Sequence, residues 1–148
     1  MTIRDARPDD VPAIYSLVRE LAEYERMLDD VESNEAMFER HLFGAEPVAR
    51  ALVADDDGEV VGFALWFPTF STFLGRPGIW LEDLYVRPSA RRNGHGRALL
   101  AALRAKTDGR VEWSVLDWNE SAQDFYRTMG ARPLDAWTTW RWGPPATG

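Results

Sequence analysis

The most chemically informative stretch of the sequence is a run of arginines and glycines, residues 91–97, which reads Arg-Arg-Asn-Gly-His-Gly-Arg. It follows an apolar segment at residues 79–86. Its second half overlaps the start of another apolar segment, which begins near Gly94 and continues to about Ala105. Glycines free the backbone, so several N–H groups can converge on one point. A helix starting there adds its own unpaired N–H groups and positive dipole end. The run therefore predicts an anion site suited to a pyrophosphate.

The glycine pattern of this run is not that of the common nucleotide-binding loops. It lacks the Gly-x-Gly-x-x-Gly of dinucleotide folds, and no Gly-Lys-Ser/Thr follows as in a P-loop. Arg87, Arg91, Arg92 and Arg97 do gather positive charge in an otherwise acidic chain. By glycine count alone, a plain turn before a helix explains the run equally well, so the assignment depends on the elements around it.

Two adjacent carboxylates, Glu82 and Asp83, interrupt the apolar segment at residues 79–86. A carboxylate inside an apolar strand is costly unless it has a purpose or a partner. Simple alternation along a strand places the two side chains on opposite faces, unless a bulge intervenes. An outward-facing position of Glu82, without chemistry, remains the alternative.

A second motif begins at Asn119 and ends at Gly130. Asn119 is a good N-cap for a helix over residues 120–129, and Gly130 stands just past its end. The helix carries Phe125 and Tyr126, and without its frame Tyr126 would be read as an ordinary core tyrosine.

The elements that must position these residues follow from periodicity and from turn residues. The Pro8-Asp9-Asp10 segment is a helix start signal, and the acidic turn at residues 55–58 is typical of a hairpin. Pro68 is expected to end strand pairing or mark an edge. Strands are predicted at residues 2–6, 48–54, 59–67, 79–86, 111–116 and 136–142, helices at 11–24, 34–42, 94–105 and 120–129, and a loop at 69–77. Because there is no repeat and no long linker, residues 1–148 are predicted to form a single α/β domain with a mixed sheet.

Composition excludes several classes of function. The net charge of −7 argues against general nucleic-acid binding, whereas an acidic surface attracts cations or simply keeps the protein soluble. The chain has no cysteine, and its two histidines, His41 and His95, are too isolated for a metal cluster. No stretch approaches the roughly 20 apolar residues of a membrane span. Because the N-terminus has no apolar signal core, a cytoplasmic location is expected.

Together, the two motifs resemble those of the GNAT superfamily of N-acetyltransferases. The cofactor motif of that family is Arg/Gln-x-x-Gly-x-Gly/Ala after a strand, matched here by Leu-Tyr-Val-Arg-Pro at residues 84–88 and then residues 91–96. Its second motif, an Asn before a helix with Phe-Tyr and a Gly, is matched by residues 119–130. The resemblance is closest to the diamine (spermidine/spermine) and thialysine acetyltransferases, through residues 20–25, 81–83 and 118–120.

The resemblance implies a GNAT fold, in which helices flank a mixed, splayed central sheet, and acetyl-CoA as co-substrate without a metal. The backbone of the 79–86 strand, where it splays from the 111–116 strand, would bind the pantetheine arm. His95 occupies a variable position of the motif, and its side chain is expected to face solvent. The implied cofactor residues are Leu84, Tyr85, Val86, Arg91, Arg92, Asn93, Gly94, His95, Gly96, Arg97, Asn119, Ser121 and Ala122.

The implied activity is transfer of the acetyl group to a primary amine of a small cationic acceptor, by direct attack in a ternary complex. Such a reaction needs a base, because an alkylammonium has a pKa of about 10 and no lone pair. Glu82 matches the acidic position of the family, acting directly or through water, and Tyr126 would protonate the leaving thiolate. A bulge in the same strand, which the family has, would let both carboxylates reach the cleft. The implied acceptor residues are Tyr24, Glu25, Glu82, Asp83 and Trp113.

The resemblance also implies a homodimer, in which the tryptophan-rich C-terminal segment lies at the subunit interface. One departure from the diamine enzymes concerns Thr128 and Met129, which stand where they have Lys or Arg, and it puts part of the cofactor's phosphate contacts in question. Three other functions remain open: an acetyltransferase acting on peptide amines, a non-catalytic acetyl-CoA sensor, and a structural interaction domain.

Overall fold

The computed structural model describes residues 1–145, and its elements follow the predicted order except at the C-terminal end. The strands are β1 (Thr2–Asp5), β2 (Arg50–Asp56), β3 (Glu59–Ser71), β4 (Arg76–Val86) and β5 (Val111–Glu112). The helices are α1 (Val11–Tyr24), α2 (Glu35–Phe43), α3 (His95–Arg104) and α4 (Glu120–Thr128). Two compact units form, the first from Met1 to Leu116 and the second from Asp117 onward. The prediction of a single domain over the whole chain stays a prediction.

The first unit is built on one mixed sheet with strand order β1-β2-β3-β4-β5. The first three pairings are antiparallel, and β5 joins β4 in parallel. The α/β class and the mixed sheet are therefore confirmed. Parallel neighbours need a crossover, and here the crossover is α3, which the chain enters through residues 87–94.

Helices cover the two faces of this sheet. Ile14 and Leu17 of α1 form a core with Val53, Phe63 and Tyr85, all of them at most 6% exposed. Ala64 and Trp66 point to the other face by alternation from Phe63. There, Lys106, just past α3, lies 5.8 Å from the Trp66 ring.

The hairpin between β3 and β4 is longer than predicted. The sequence favoured a loop over residues 69–77, with pairing ended by Pro68, but β3 continues to Ser71 and Pro68 pairs with Ile79. The Ile79 N–H donates to the Arg110 carbonyl at 2.8 Å, away from β3. Pro68 thus occupies a position where its missing N–H is not needed, since β2 pairs with β3 only as far as Trp66.

The C-terminal part of the sheet is shorter than predicted. The strand expected at residues 111–116 is reduced to two residues that pair with Ile79 and Trp80. The strand expected at 136–142 does not form, because none of the five strands in the described chain offers these residues a partner. From Leu81 onward, the β5-side edge of β4 has no strand partner within residues 1–145. This open edge agrees with the predicted splay.

Candidate functional site

The loop before α3 has the backbone geometry of an anion site. Arg92 and Gly94 both adopt left-handed φ angles, 72° and 79°, and Gly94 is the N-cap of α3. Among the described residues, no amide N–H from Arg92 to Gly96 donates a hydrogen bond to another group. Five consecutive donors at a helix N-terminus can be shared by the oxygens of one phosphate or pyrophosphate. The residues present therefore fit a cofactor with that anionic group.

Arg87 differs from Arg91 and Arg92 in its contacts. Arg87 is bound by carboxylates, with Nη2 at 3.0 Å from Glu20 and Nη1 at 3.1 Å from Glu59. Hydrogen bonding to Glu20 raises the pKa of Arg87 further above its usual range. Its two ion pairs therefore link α1 and β3 to the end of β4. Arg91 and Arg92 are exposed and remain the cations for the loop.

The side chain of His95 is buried, so the prediction that it faces solvent is wrong. It is 2% exposed. It lies at the start of a buried stripe with Leu99 and Leu103, at four-residue spacing, which turns it toward the sheet. Neither ring nitrogen has a hydrogen-bond partner in the described part of the chain. Only the backbone of His95 is available to the loop.

The carboxylates of β4 lie at a β-bulge. Leu65 of β3 pairs with Asp83, and the next residue, Trp66, pairs with Leu81, so Glu82 is the extra residue. The bulge is the one implied by the resemblance, and simple alternation fails here. Asp83 consequently shares the α1 face of the sheet with its partner Leu65, and Glu82 is exposed.

Three of the predicted acceptor residues, Glu25, Glu82 and Asp83, lie close enough for the charges of the first two to affect the pKa of the third. The pKa of Asp83 is raised to about 7, first by burial and then by the negative charges of Glu82 and Glu25. Burial also raises the pKa of Glu25, which is the C-cap of α1. Like charges that approach one another in a partly buried place disfavour full ionisation. Such a cluster attracts a cation and accepts a proton near neutral pH.

Tyr24, the last residue of α1, is another of the predicted acceptor residues in the first unit. Its ring lies 5.7 Å from the Arg91 guanidinium carbon, and that carbon is also 5.5 Å from the ring of Tyr85. Trp113, directly after β5, is half-buried. Leu84 and Val86, whose backbones border the open edge of β4, are half-buried, whereas Tyr85 is buried.

The remaining predicted residues lie in the second unit. The Asn119 side chain caps α4 by accepting from the Ala122 N–H at 3.3 Å, and the Ser121 hydroxyl lies 3.4 Å from the same oxygen. Gly130, at φ 94°, follows the helix end as predicted. Tyr126 is half-buried on α4, with its ring 5.6 Å from that of Phe125.

Sequence reasoning missed the contact of Arg91 with Tyr24. The two residues are 67 positions apart, and nothing in their local sequence signals a cation–π contact.

Among the helices of residues 1–145, none has both the length and the apolar character of a membrane span.

Comparison with known proteins gives consistent findings. Residues 12–131 match the Acetyltransferase (GNAT) family. The chain is 36% identical to the thialysine N-epsilon-acetyltransferase of Sus scrofa, with 94% of this chain and 90% of that protein covered. It is 30% identical to the L-ornithine N5-acetyltransferase of Arabidopsis thaliana, with 91% and 81% covered. A crystal structure of a probable acetyltransferase superposes with a TM-score of 0.82 at 25% identity, covering 99% of this chain and 100% of the other.

Proposed function

Because the chain belongs to the GNAT acetyltransferase family, and is thus an N-acetyltransferase acting on amines, we propose that its acceptor is a small molecule with two cationic groups, of the diamine, polyamine or thialysine class. The observation that carries the proposal is the carboxyl cluster of Glu25, Glu82 and Asp83 at the β4 bulge. Relatives named for thialysine and ornithine acetylation, both of them diamino acids, support it.

Family members use acetyl-CoA, which supplies an acetyl group activated as a thioester. In the proposed mechanism, the amides from Arg92 to Gly96, with Arg91 and Arg97, hold its anionic groups. The open edge of β4 at Leu84, Tyr85 and Val86 offers backbone groups to its arm. Asn119, Ser121 and Ala122, at the start of α4, form the remaining proposed contacts.

Glu82 is the proposed general base. It is exposed at the bulge, so its carboxylate can receive a proton from the acceptor ammonium directly or through water. Asp83 and Glu25 neutralise the cationic acceptor and hold its second amine, while Tyr24 and Trp113 border it. The freed amine would attack the thioester carbonyl directly in a ternary complex, with the Tyr126 hydroxyl donating a proton to the leaving thiolate. The proton that the attacking nitrogen then loses would restore the Tyr126 hydroxyl.

The test is a thiol-release assay with acetyl-CoA and a panel of thialysine, ornithine, spermidine, an aminoglycoside, a monoamine and a lysine peptide. We expect turnover with diamino compounds, and a Michaelis constant that rises for dications but not for the monoamine in Glu25→Gln. Turnover with the peptide alone would replace the proposal by a protein N-acetyltransferase. Cofactor binding without turnover of any amine would replace it by a sensor.

We also infer a homodimer from the exposed tryptophans of the second unit. Trp137, Trp140 and Trp142 are 79%, 89% and 101% exposed, and no helix or strand is formed between residues 131 and 145. Three large apolar side chains in one segment are typical of a surface that another chain covers. Light scattering after size exclusion should give twice the chain mass of 16.8 kDa. A monomer at micromolar concentration would contradict the inference.

A further inference from the structure

The side chain of Arg91 contacts three separate elements. Its guanidinium carbon lies 5.7 Å from the ring centroid of Tyr24 at the end of α1, and 5.5 Å from that of Tyr85 in β4. Its Nε donates to the Val86 carbonyl at 2.9 Å. Both rings are within the distance of about 6 Å at which a cation is attracted to an aromatic face. One guanidinium therefore bridges two tyrosines beside the predicted cofactor loop.

The two tyrosines differ in how firmly they are held. Tyr85 is 6% exposed and belongs to the core, whereas Tyr24 is 40% exposed. Glu20, one helical turn before Tyr24, is fixed by its 3.0 Å ion pair with Arg87 at the end of β4. This ion pair holds the last turn of α1 against β4, and Arg91 then joins the exposed Tyr24 ring to the buried Tyr85 ring.

The same guanidinium retains donors for an anion. Within residues 1–145, neither Nη nitrogen of Arg91 donates a hydrogen bond, although Nε does. The planar guanidinium carries several N–H donors in a fixed fork, so it can stack on rings and bind phosphate oxygens at once. Arg91 directly precedes the five free amides of the loop.

We propose that Arg91 is a positioning residue that couples the cofactor loop to the acceptor-binding residue Tyr24. The proposal rests on the proposed function, since it takes the loop as the cofactor site and Tyr24 as an acceptor contact. An anion that engages the Nη atoms fixes the guanidinium and hence the Tyr24 ring. By linkage, acceptor binding at Tyr24 then strengthens cofactor binding by the same factor.

The experiment uses fluorine NMR of protein labelled with 3-fluorotyrosine, because the chain has only four tyrosines. The Tyr24 signal is assigned with Tyr24→Phe. Arg91→Gln is compared with Arg92→Gln, a matched neighbour that loses the same charge in the same loop. We expect Arg91→Gln to move the Tyr24 and Tyr85 signals and leave that of Tyr15 in place, whereas Arg92→Gln moves none of them.

Acetyl-CoA is then titrated into the three proteins. In wild type and in Arg92→Gln the Tyr24 signal should shift on binding, and in Arg91→Gln this response should be lost. The acceptor Michaelis constant should rise about threefold to tenfold in Arg91→Gln, as expected for loss of one or two cation–π contacts, with little change in kcat. Arg91→Lys, which keeps the charge, should recover part of the effect.

The possible failures are distinguishable. If acetyl-CoA does not bind wild type, the proposed function and the coupling are both overturned. If it binds without any response of the Tyr24 signal, or if Arg91→Gln weakens acetyl-CoA alone and leaves the acceptor Michaelis constant unchanged, the coupling alone is overturned.

Discussion

Asp83 is the residue whose environment most alters its chemistry within the candidate acceptor site. A carboxyl group with a pKa raised to about 7 is partly protonated under physiological conditions, and the cause is burial together with its two acidic neighbours. Because the negative charges of Glu82 and Glu25 contribute to this pKa, a pH profile governed by Asp83 also reports on its two acidic neighbours.

Asp83→Asn should stabilise the protein at alkaline pH. The folded-state pKa is raised from 3.8 to about 7, so between these values the folded state keeps a proton that the unfolded state has released. The contribution of Asp83 to stability therefore falls as pH rises through this window. We expect the variant to exceed wild type by about 2 kcal/mol in unfolding free energy at pH 8, allowing for partial exposure.

Urea unfolding at pH 4 and pH 8 measures this difference. Asp57→Asn, in the exposed turn between β2 and β3, is the control and should leave the pH dependence unchanged. Equal stability of Asp83→Asn and wild type at both pH values would contradict the raised pKa.

His95→Leu should also stabilise the protein. The imidazole is buried on the core-facing stripe of α3 and has no hydrogen-bond partner in the described residues. Replacing such a polar group by an apolar one of similar size removes a desolvation cost of about 1–2 kcal/mol. Denaturant unfolding measures the change, with the exposed His41→Gln as control. A loss of stability would mean that the ring nitrogens are satisfied in solution.

Tyr126→Phe tests the proposed acid. A phenol that protonates the leaving thiolate acts in the transition state, so the variant should lose about 100-fold in kcat. Acetyl-CoA affinity, measured by calorimetry, should stay within about twofold because no cofactor contact is assigned to the hydroxyl. Turnover equal to wild type would remove Tyr126 from the mechanism.

At the scale of elements, α1 is held at both ends by ion pairs. At its C-terminal end Glu20 binds Arg87. At its start the Asp10 carboxylate accepts hydrogen bonds from Arg4 Nη1 and Nη2, at 2.8 and 3.0 Å, and from the Arg7 N–H at 2.7 Å. Arg4 Nε also donates to Asp55 at 3.1 Å. The helix that ends in the proposed acceptor residues is thereby fixed at its start to β1 and β2.

Asp10→Asn should destabilise the protein by about 2 kcal/mol at pH 7, because it removes the carboxylate that takes two hydrogen bonds from the half-buried Arg4 and leaves Asp55 as the remaining charged partner. Hydrogen bonding by Arg4 lowers the pKa of Asp10, so this stability is present above the usual Asp range and is lost as pH falls through the folded-state value. Urea unfolding at pH 7 and pH 3 measures both effects. The exposed neighbour Asp9→Asn is the control, and a destabilisation that persists undiminished at pH 3 would argue against an ionic origin.

Across the whole molecule, the basic and acidic residues are unevenly distributed, in a way that suits an anionic cofactor and a cationic acceptor. The chain has a net charge of −7, yet arginines are concentrated in residues 87–97. An acidic protein raises the local concentration of cations and repels polyanions, so the basic loop would supply locally the positive charge that the proposed anionic cofactor needs.

Ionic strength should therefore affect the acceptor strongly. Raising salt from about 0.05 to 0.5 M shortens the screening length several-fold, and the Michaelis constant of a diamine should rise by at least about threefold. That of a monoamine should rise less. Steady-state kinetics at constant pH measures both, and equal changes for the two acceptors would contradict long-range attraction.

The order of the helices and of the first five strands, and both motifs, could be predicted from local signals in the sequence. The helix starts at Pro8-Asp9-Asp10 and Asn119 and the helix end at Gly130 are local signals, since capping depends on neighbours within a few positions. The resemblance added the family, now confirmed, and the bulge at Glu82.

Features that depend on residues far apart in the sequence could not be predicted from local signals. A strand needs a neighbour, so the strand expected at 136–142 fails and β3 runs past Pro68. The direction in which His95 points follows from the packing of α3 on the sheet, because the motif fixes only its backbone. The pKa of Asp83 and the stacking of Arg91 on Tyr24 arise from residues brought together by folding. Burial and Coulomb energy depend on distance in space, which spacing along the chain does not determine.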